Sequence, residues 1–331
     1  MPRRVRAILP VPSAATTRSM PGIASGLLAS FVVAVSPAGP AFADSSTPAL
    51  ASYYDRHMAI CGGDAYEWSG EGVPTKVLSD VVQVGVGRKT RFALARDGRL
   101  RAWDDDSRAA TVVLDGVRQF AAGDSGLLAI KADNSLWLLE TTGSGWPGRG
   151  TGSPVRIASD VRAASIGDGT NYHVTANGDL FAKGKAHRGQ YGNGTLESTD
   201  TYVRVASRVV EIRSHTGHAI LLTDRGEVQG TGGNVYGPLG RHGLGDKAIR
   251  WAPLFSGATG IATGASHSLA IRVDKTLWIW GRNEGPEPRS VLADVVGVAA
   301  GSDSSIALTQ DGSLWQWSPG KRPRNILDCG R

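Results

Sequence analysis

The chain repeats itself, and that constrains its fold more than any other property of the sequence, because each unit of a stacked repeat can bury its faces only against its neighbours. Aligned on one position, six copies read VVQVGVGRKTRFALARDGRLRAW (81–103), VRQFAAGDSGLLAIKADNSLWLL (117–139), VRAASIGDGTNYHVTANGDLFAKG (161–184), VVEIRSHTGHAILLTDRGEVQGTG (209–232), GIATGASHSLAIRVDKTLWIWG (260–281) and VVGVAAGSDSSIALTQDGSLWQW (295–317). The shared position is held by Gly87, Gly123, Gly167, His215, Gly264 and Gly301, at intervals of 36 to 49 residues. Ten or eleven residues further on stands a turn pair such as Asp97-Gly98, Asn177-Gly178 or Asp311-Gly312.

Between these points apolar residues alternate, as in Val82, Val84, Val86, then Phe92, Leu94, then Leu100, and a period of two means strands. Each copy is therefore a β-meander, its second turn built from residues that reach positive φ at low cost. Trp103, Trp280 and Trp317 end the third strand at one equivalent place, with Leu139 standing in for them in the second copy, and are expected to pack blade against blade. Two pieces remain. Met58 to Trp68 reads as second and third strands without a first, and Asn325 to Gly330 as a first strand without the rest. The expected architecture is all-β, a seven-bladed β-propeller over 58–331 whose N- and C-terminal strands share one blade and so close the ring.

The start of the chain has a different character. Arg3, Arg4, Arg6 and Arg18 are followed by an apolar stretch from Leu27 to Val35 and by Ala41-Phe42-Ala43, the pattern of a secretory leader over 1–43 with cleavage near Ala43. Residues 44–57 then form a short lead-in. Loss of the leader lowers the net charge from +6 to +2, which removes most of the case for nucleic acid. Destination is then the periplasm or the exterior. No apolar run is long enough for a spanning helix.

The repeat, with His267-Ser268-Leu269-Ala270 in place and matched best by 260–281 and 295–317, resembles the regulator of chromosome condensation family, whose fold is a seven-bladed propeller. Gly189-Gln190-Tyr191-Gly192 and Gly237-Pro238-Leu239-Gly240 are variants of that family's second signature. The resemblance covers about 58–331. It implies a binding disc: family members are nucleotide-exchange factors for a small nuclear GTPase, chromatin binders, and exported bacterial proteins that include an inhibitor of β-lactamases. An exported chain meets neither the GTPase nor chromatin. The expected function is protein binding without catalysis, with glycan binding or inhibition of an extracytoplasmic enzyme as the alternatives.

Paired carboxylates at catalytic spacing, a GxSxG elbow, a phosphate loop and CxxC are all missing from the sequence, so no catalytic residue and no cofactor is expected. His215-Thr216-Gly217-His218 brings two imidazoles close with no third ligand beside them, and no metal site is expected. Asp104-Asp105-Asp106 follows a strand and reads as a solvated loop. Cys61 and Cys329 are the two cysteines; an exported chain can bond them, clasping the ring where its ends meet. Against this, the repeat register sets Cys329 just before its anchor and Cys61 at the far end of the neighbouring strand, so two buried thiols remain the alternative.

Two surfaces are candidates. Long connections at 185–207 and 233–257 carry Arg188, Tyr191, Tyr202, Tyr236, Arg241, His242 and Trp251, types that dominate interface hot spots, and these are the expected partner-binding residues. Trp146, in the Gly-rich loop 143–153, is of the same kind. The second surface is the ring of anchor turns around the channel, with Arg88, Lys89, Asp124, Asp168, Ser266 and Asp303; it offers polar groups and no aromatic, a surface suited to a polar ligand.

Overall fold

The computed structural model describes residues 50–105, 109–123, 126–140, 153–240 and 244–330. The leader and most of the lead-in lie outside them. Seven antiparallel sheets of four strands each follow one another along the chain: blades one (50–78), two (81–114), three (117–158), four (161–206), five (209–256), six (258–292) and seven (295–328). This is the expected seven-bladed propeller. Blades two to seven have the three strands read from the repeat plus an outer fourth; the outer strand is short and largely exposed in Thr75–Leu78 of blade one and in Thr111–Leu114, longer in Thr199–Ala206 and Lys247–Ser256.

The anchor glycines are explained by the approach of the next blade. A Cβ on Gly264 would stand 2.4 Å from the Gly301 carbonyl oxygen, and one on Gly301 would stand 2.2 Å from that of Tyr54. Larger residues would push the inner strands apart. Trp103, Trp280, Trp317 and Leu139 are buried, each in an apolar cluster that spans two adjacent blades.

Ring closure differs from the expected scheme. Arg324–Asp328 is the outermost strand of blade seven, and the inner strand of blade one is Leu50–Tyr53, inside the segment read as lead-in. No blade is shared. The register error has a clear source in the linkers, where the N–H entering each new blade bonds to a turn of the previous one: Val81 to Gly63 at 2.9 Å, Val209 to Gly178 at 3.0 Å, Val295 to Lys275 at 2.9 Å. Cys329 N–H makes this same bond to Gly312 O at 2.7 Å, so the chain's end imitates the start of a next inner strand without forming it.

What joins blades one and seven is therefore mainly side-chain chemistry, beside one backbone bond from Ser302 N–H to Tyr54 O at 3.1 Å. Cys61 and Cys329 form a disulfide with Cα atoms 4.7 Å apart, since both stand on the face where second strands end and linkers pass. Ala59 and Trp68 pack on Ile306, Leu308 and Leu314. Trp68 Nε1–H donates to Gln316 Oε1 at 2.9 Å, and the Gln316 amide donates to Gly70 O at 2.6 Å.

Replacing Cys61 and Cys329 with Ser, or adding reductant, should cost about 3 to 5 kcal/mol by release of a very long loop, roughly 10 °C in Tm by calorimetry. An unchanged Tm would mean that packing alone closes the ring. Burial also lowers the pKa of His57, His173 and His215 to about 4 and of His218 and His267 to about 3. Well above pH 6.5 these rings are neutral folded or unfolded and contribute no pH dependence. Below it the unfolded chain takes up protons that the folded one refuses, so stability should fall from pH 6.5 through about 4, on the order of 1 kcal/mol per pH unit for each ring. Urea titrations across that window measure the slope.

Candidate functional site on the loop face

In every blade the chain crosses one face between strands one and two and again between strands three and four, and crosses the opposite face between strands two and three. The anchor turns and the long connections consequently share a face. The two surfaces read separately from the sequence are one.

The long connections are tied to the next blade. In the 185–198 loop, Gln190 Oε1 accepts from Arg188 N–H at 2.8 Å, Tyr172 Oη–H donates to Gln190 O at 2.8 Å, and Thr231 of blade five donates to Gly189 O at 2.7 Å. In the 234–246 loop, Pro238 O accepts from Trp280 Nε1–H at 2.9 Å and from the Ser268 hydroxyl at 2.8 Å, both of blade six. Asn234 holds that loop's shape, donating to Gly240 O and Gly245 O and accepting from Leu239 N–H. The Gly-x-x-Gly signatures are thus blade-to-blade brackets.

This moves three expected contact residues inward. Tyr191 is 1% exposed and donates its hydroxyl hydrogen to Gly184 O at 2.6 Å. Trp251 is half-buried against Gly192, where a Cβ would meet the indole at 2.6 Å. Tyr202 is half-buried edge-on to His173, ring centroids 4.7 Å apart, and burial pushes its hydroxyl up to about 12. Tyr202 and Trp251 stand on the outer strands Thr199–Ala206 and Lys247–Ser256, not in the loops proper, and are used for packing within the scaffold. Arg188 and Tyr236 do stay exposed; Arg241 and His242, like Trp146, lie outside the described residues.

Around the channel, Arg88, Lys89, Asp168, Thr216 and Asp303 are exposed, Ser266 is buried, and Asp124 lies outside the described residues. The turn ring does carry aromatics, contrary to expectation, because blade one contributes its own turn. Tyr54 is 49% exposed at φ +52°, its carbonyl held by Ser302 N–H at 3.1 Å. Tyr53 reaches across the channel and stacks on His215 of blade five, ring centroids 5.5 Å apart. Their signal in the sequence, Leu50-Ala51-Ser52-Tyr53-Tyr54, lacks the Val that opens the inner strands at Val81, Val117, Val161, Val209 and Val295. Asp105, read as solvated, pairs with Arg56 at 2.6 Å and with Arg91, a link between blades one and two.

A cleft of about 660 Å³ opens between the loops of blades five and six. Val235 and Tyr236, 69% and 59% exposed, form one wall; Asn283 and Pro286 form the other, with Asp246 and Arg282 at its edges. Arg282 joins cleft and channel: its guanidinium lies 5.1 Å from the centre of the Tyr236 ring and 3.8 Å from Asp303. Among the described residues no group of three His, Cys, Asp or Glu has the geometry to hold a metal ion, and no helix is long and apolar enough to cross a membrane.

This fold defines the class, a seven-bladed β-propeller built from sequence repeats. Residues 258–284, in blade six, match the family model of the regulator of chromosome condensation (RCC1) repeat. E3 ubiquitin-protein ligase HERC2 of Homo sapiens is 26% identical over 233 residues, 62% of this chain and 5% of that protein. Ultraviolet-B receptor UVR8 of Arabidopsis thaliana is 27% identical over 267 residues, 73% of this chain and 57% of that protein. The chain thus spans less than two thirds of either relative's own length. Two solved structures share the fold. Prp20p of Saccharomyces cerevisiae has a TM-score of 0.65 at 16% identity, covering 78% of this chain and 81% of that one; human WBSCR16 has 0.68 at 15%, covering 77% and 84%.

Because Tyr191 braces the scaffold, Tyr191→Phe should destabilise by about 1 kcal/mol through the orphaned Gly184 carbonyl. Denaturant unfolding checks this, and a variant as stable as the parent would free Tyr191 for another role.

Proposed function

We propose that this chain is an exported, non-enzymatic protein-binding propeller that meets its partner with the loop face. The observation that carries the reading is the exposed Val235–Tyr236 pair beside Arg282 at a cleft, while Tyr191, Tyr202 and Trp251 are turned inward. Aromatic and Arg side chains in a partly enclosed setting are what hot spots are made of. Fold relatives support the binding class: Prp20p is described with binding to Gsp1p and histones, and yeast RCC1 (Prp20) bound to Kap60. Export is supported by the basic, apolar and Ala-x-Ala order of residues 1–43 and by the Cys61–Cys329 disulfide, a bond that persists in oxidising compartments.

Photo-crosslinking tests the reading on both counts. Benzoylphenylalanine at Val235 should trap a discrete protein from envelope or culture fractions. The same residue at Val273, 76% exposed in a turn on the opposite face, should trap none. Equal labelling from both positions, or none from Val235, would discard the loop face as the docking surface.

A further inference from the structure

We propose that the cleft between blades five and six takes an Asp or Glu side chain from a loop of the partner protein, with Arg282 receiving the carboxylate and Asp303 as the internal carboxylate it displaces. The inference rests on the protein-binding reading above and names the chemistry of the contact.

Arg282 is presented for such an exchange. Its guanidinium lies over the Tyr236 ring, 5.1 Å from the centroid, a contact made by the cation's face and not by its N–H donors. Its present carboxylate, Asp303, is 70% exposed and 3.8 Å away, too far for a hydrogen bond. An incoming carboxylate that docks with two parallel N–H···O bonds, shielded by the cleft walls, outcompetes a solvent-screened pair of that kind. Glu284, the other acid beside Arg282, does not compete. It is buried, paired with Arg289, and accepts Gly320 N–H at 2.7 Å.

The surroundings narrow the occupant. Asp246 lines the same cleft and has no ion pair among the described residues. With Asp303 it opposes a polyanion such as nucleic acid or a sulfated glycan, and it favours a single carboxylate with an N–H donor alongside. Farther out on the same face, Arg88, Lys89 and Arg188 also have no ion pair among the described residues, against Asp55 as the unpaired acid of the turn ring. Their field attracts an acidic loop before contact and adds little to its grip after.

The test titrates the isotope-labelled protein with acetyl-Ala-Asp-Lys-Ala-amide and with its Asn counterpart, following the Arg282 Nε–H and Val235 amide signals. The Asp peptide should bind at least tenfold more tightly than the Asn peptide. Asp303→Asn should tighten Asp-peptide binding threefold or more, because it removes the internal competitor, and Arg282→Lys should weaken it at least fivefold despite keeping the charge. Equal affinity for the two peptides, or an Asp303→Asn variant that binds no better than the parent, would overturn the proposal. So would a DNA oligonucleotide or a heparin disaccharide binding more tightly than the Asp peptide. Crosslinking from Val235 together with peptides that fail to discriminate would retain the protein-binding reading and remove this one.

Discussion

Every sheet in this molecule depends on contact with its two neighbours, and the seam between blades one and seven is the only place where the chain itself does not supply the connection. Inside the ring each blade is delivered to the next by a linker whose N–H is caught by a preceding turn, so that local sequence contacts enforce the stacking. At the seam that bond exists too, from Cys329 to Gly312, but the strand that should follow comes from the other end of the chain. A disulfide, an apolar cluster around Trp68 and the Gln316 hydrogen bonds substitute for covalent continuity. An inner strand lost to water would expose a face of two sheets at once, which is why so many devices converge on one interface.

The same seam separates what was legible in the sequence from what was not. Repeat spacing gave the blade number because alternation and Asp-Gly turns are local properties, and the glycine anchors carry a steric requirement that recurs each time one blade meets another. The outer strands lack such a requirement, so they left no pattern. The closing strand failed for a subtler reason: Asn325 to Gly330 does copy the linker that precedes an inner strand, down to the hydrogen bond made by Cys329, and only the pairing of Arg324–Asp328 with Ser313–Trp317 shows that the copy stops there. Leu50–Tyr53, four residues without a valine, offered no competing signal.

Among the candidate contact residues the difficulty was of a different kind. Tyr191, Tyr202 and Trp251 have the composition of a hot spot, and composition cannot tell a surface that seeks a partner from a side chain that has already found one within the scaffold. The structure separates them: Tyr191 is buried with its hydroxyl on Gly184 O, whereas Tyr236 is exposed beside the cation of Arg282. The exposed tyrosine of blade one escaped notice because its strand did.

Loop position and loop surface are held by different residues. The brackets that hold the long loops use backbone carbonyls of Gly184, Gly189, Gln190 and Pro238 together with a few buried side chains, and they fix loop position from below. Residues above the brackets, Val235, Tyr236, Asp246, Arg282 and Asn283, make few bonds that the fold needs. Substitution there costs the scaffold little, since exposed side chains away from caps and networks move stability only slightly. The division lets recognition chemistry vary on a face whose geometry is set by the blades beneath it, which is the physical content of the statement that one fold serves many partners.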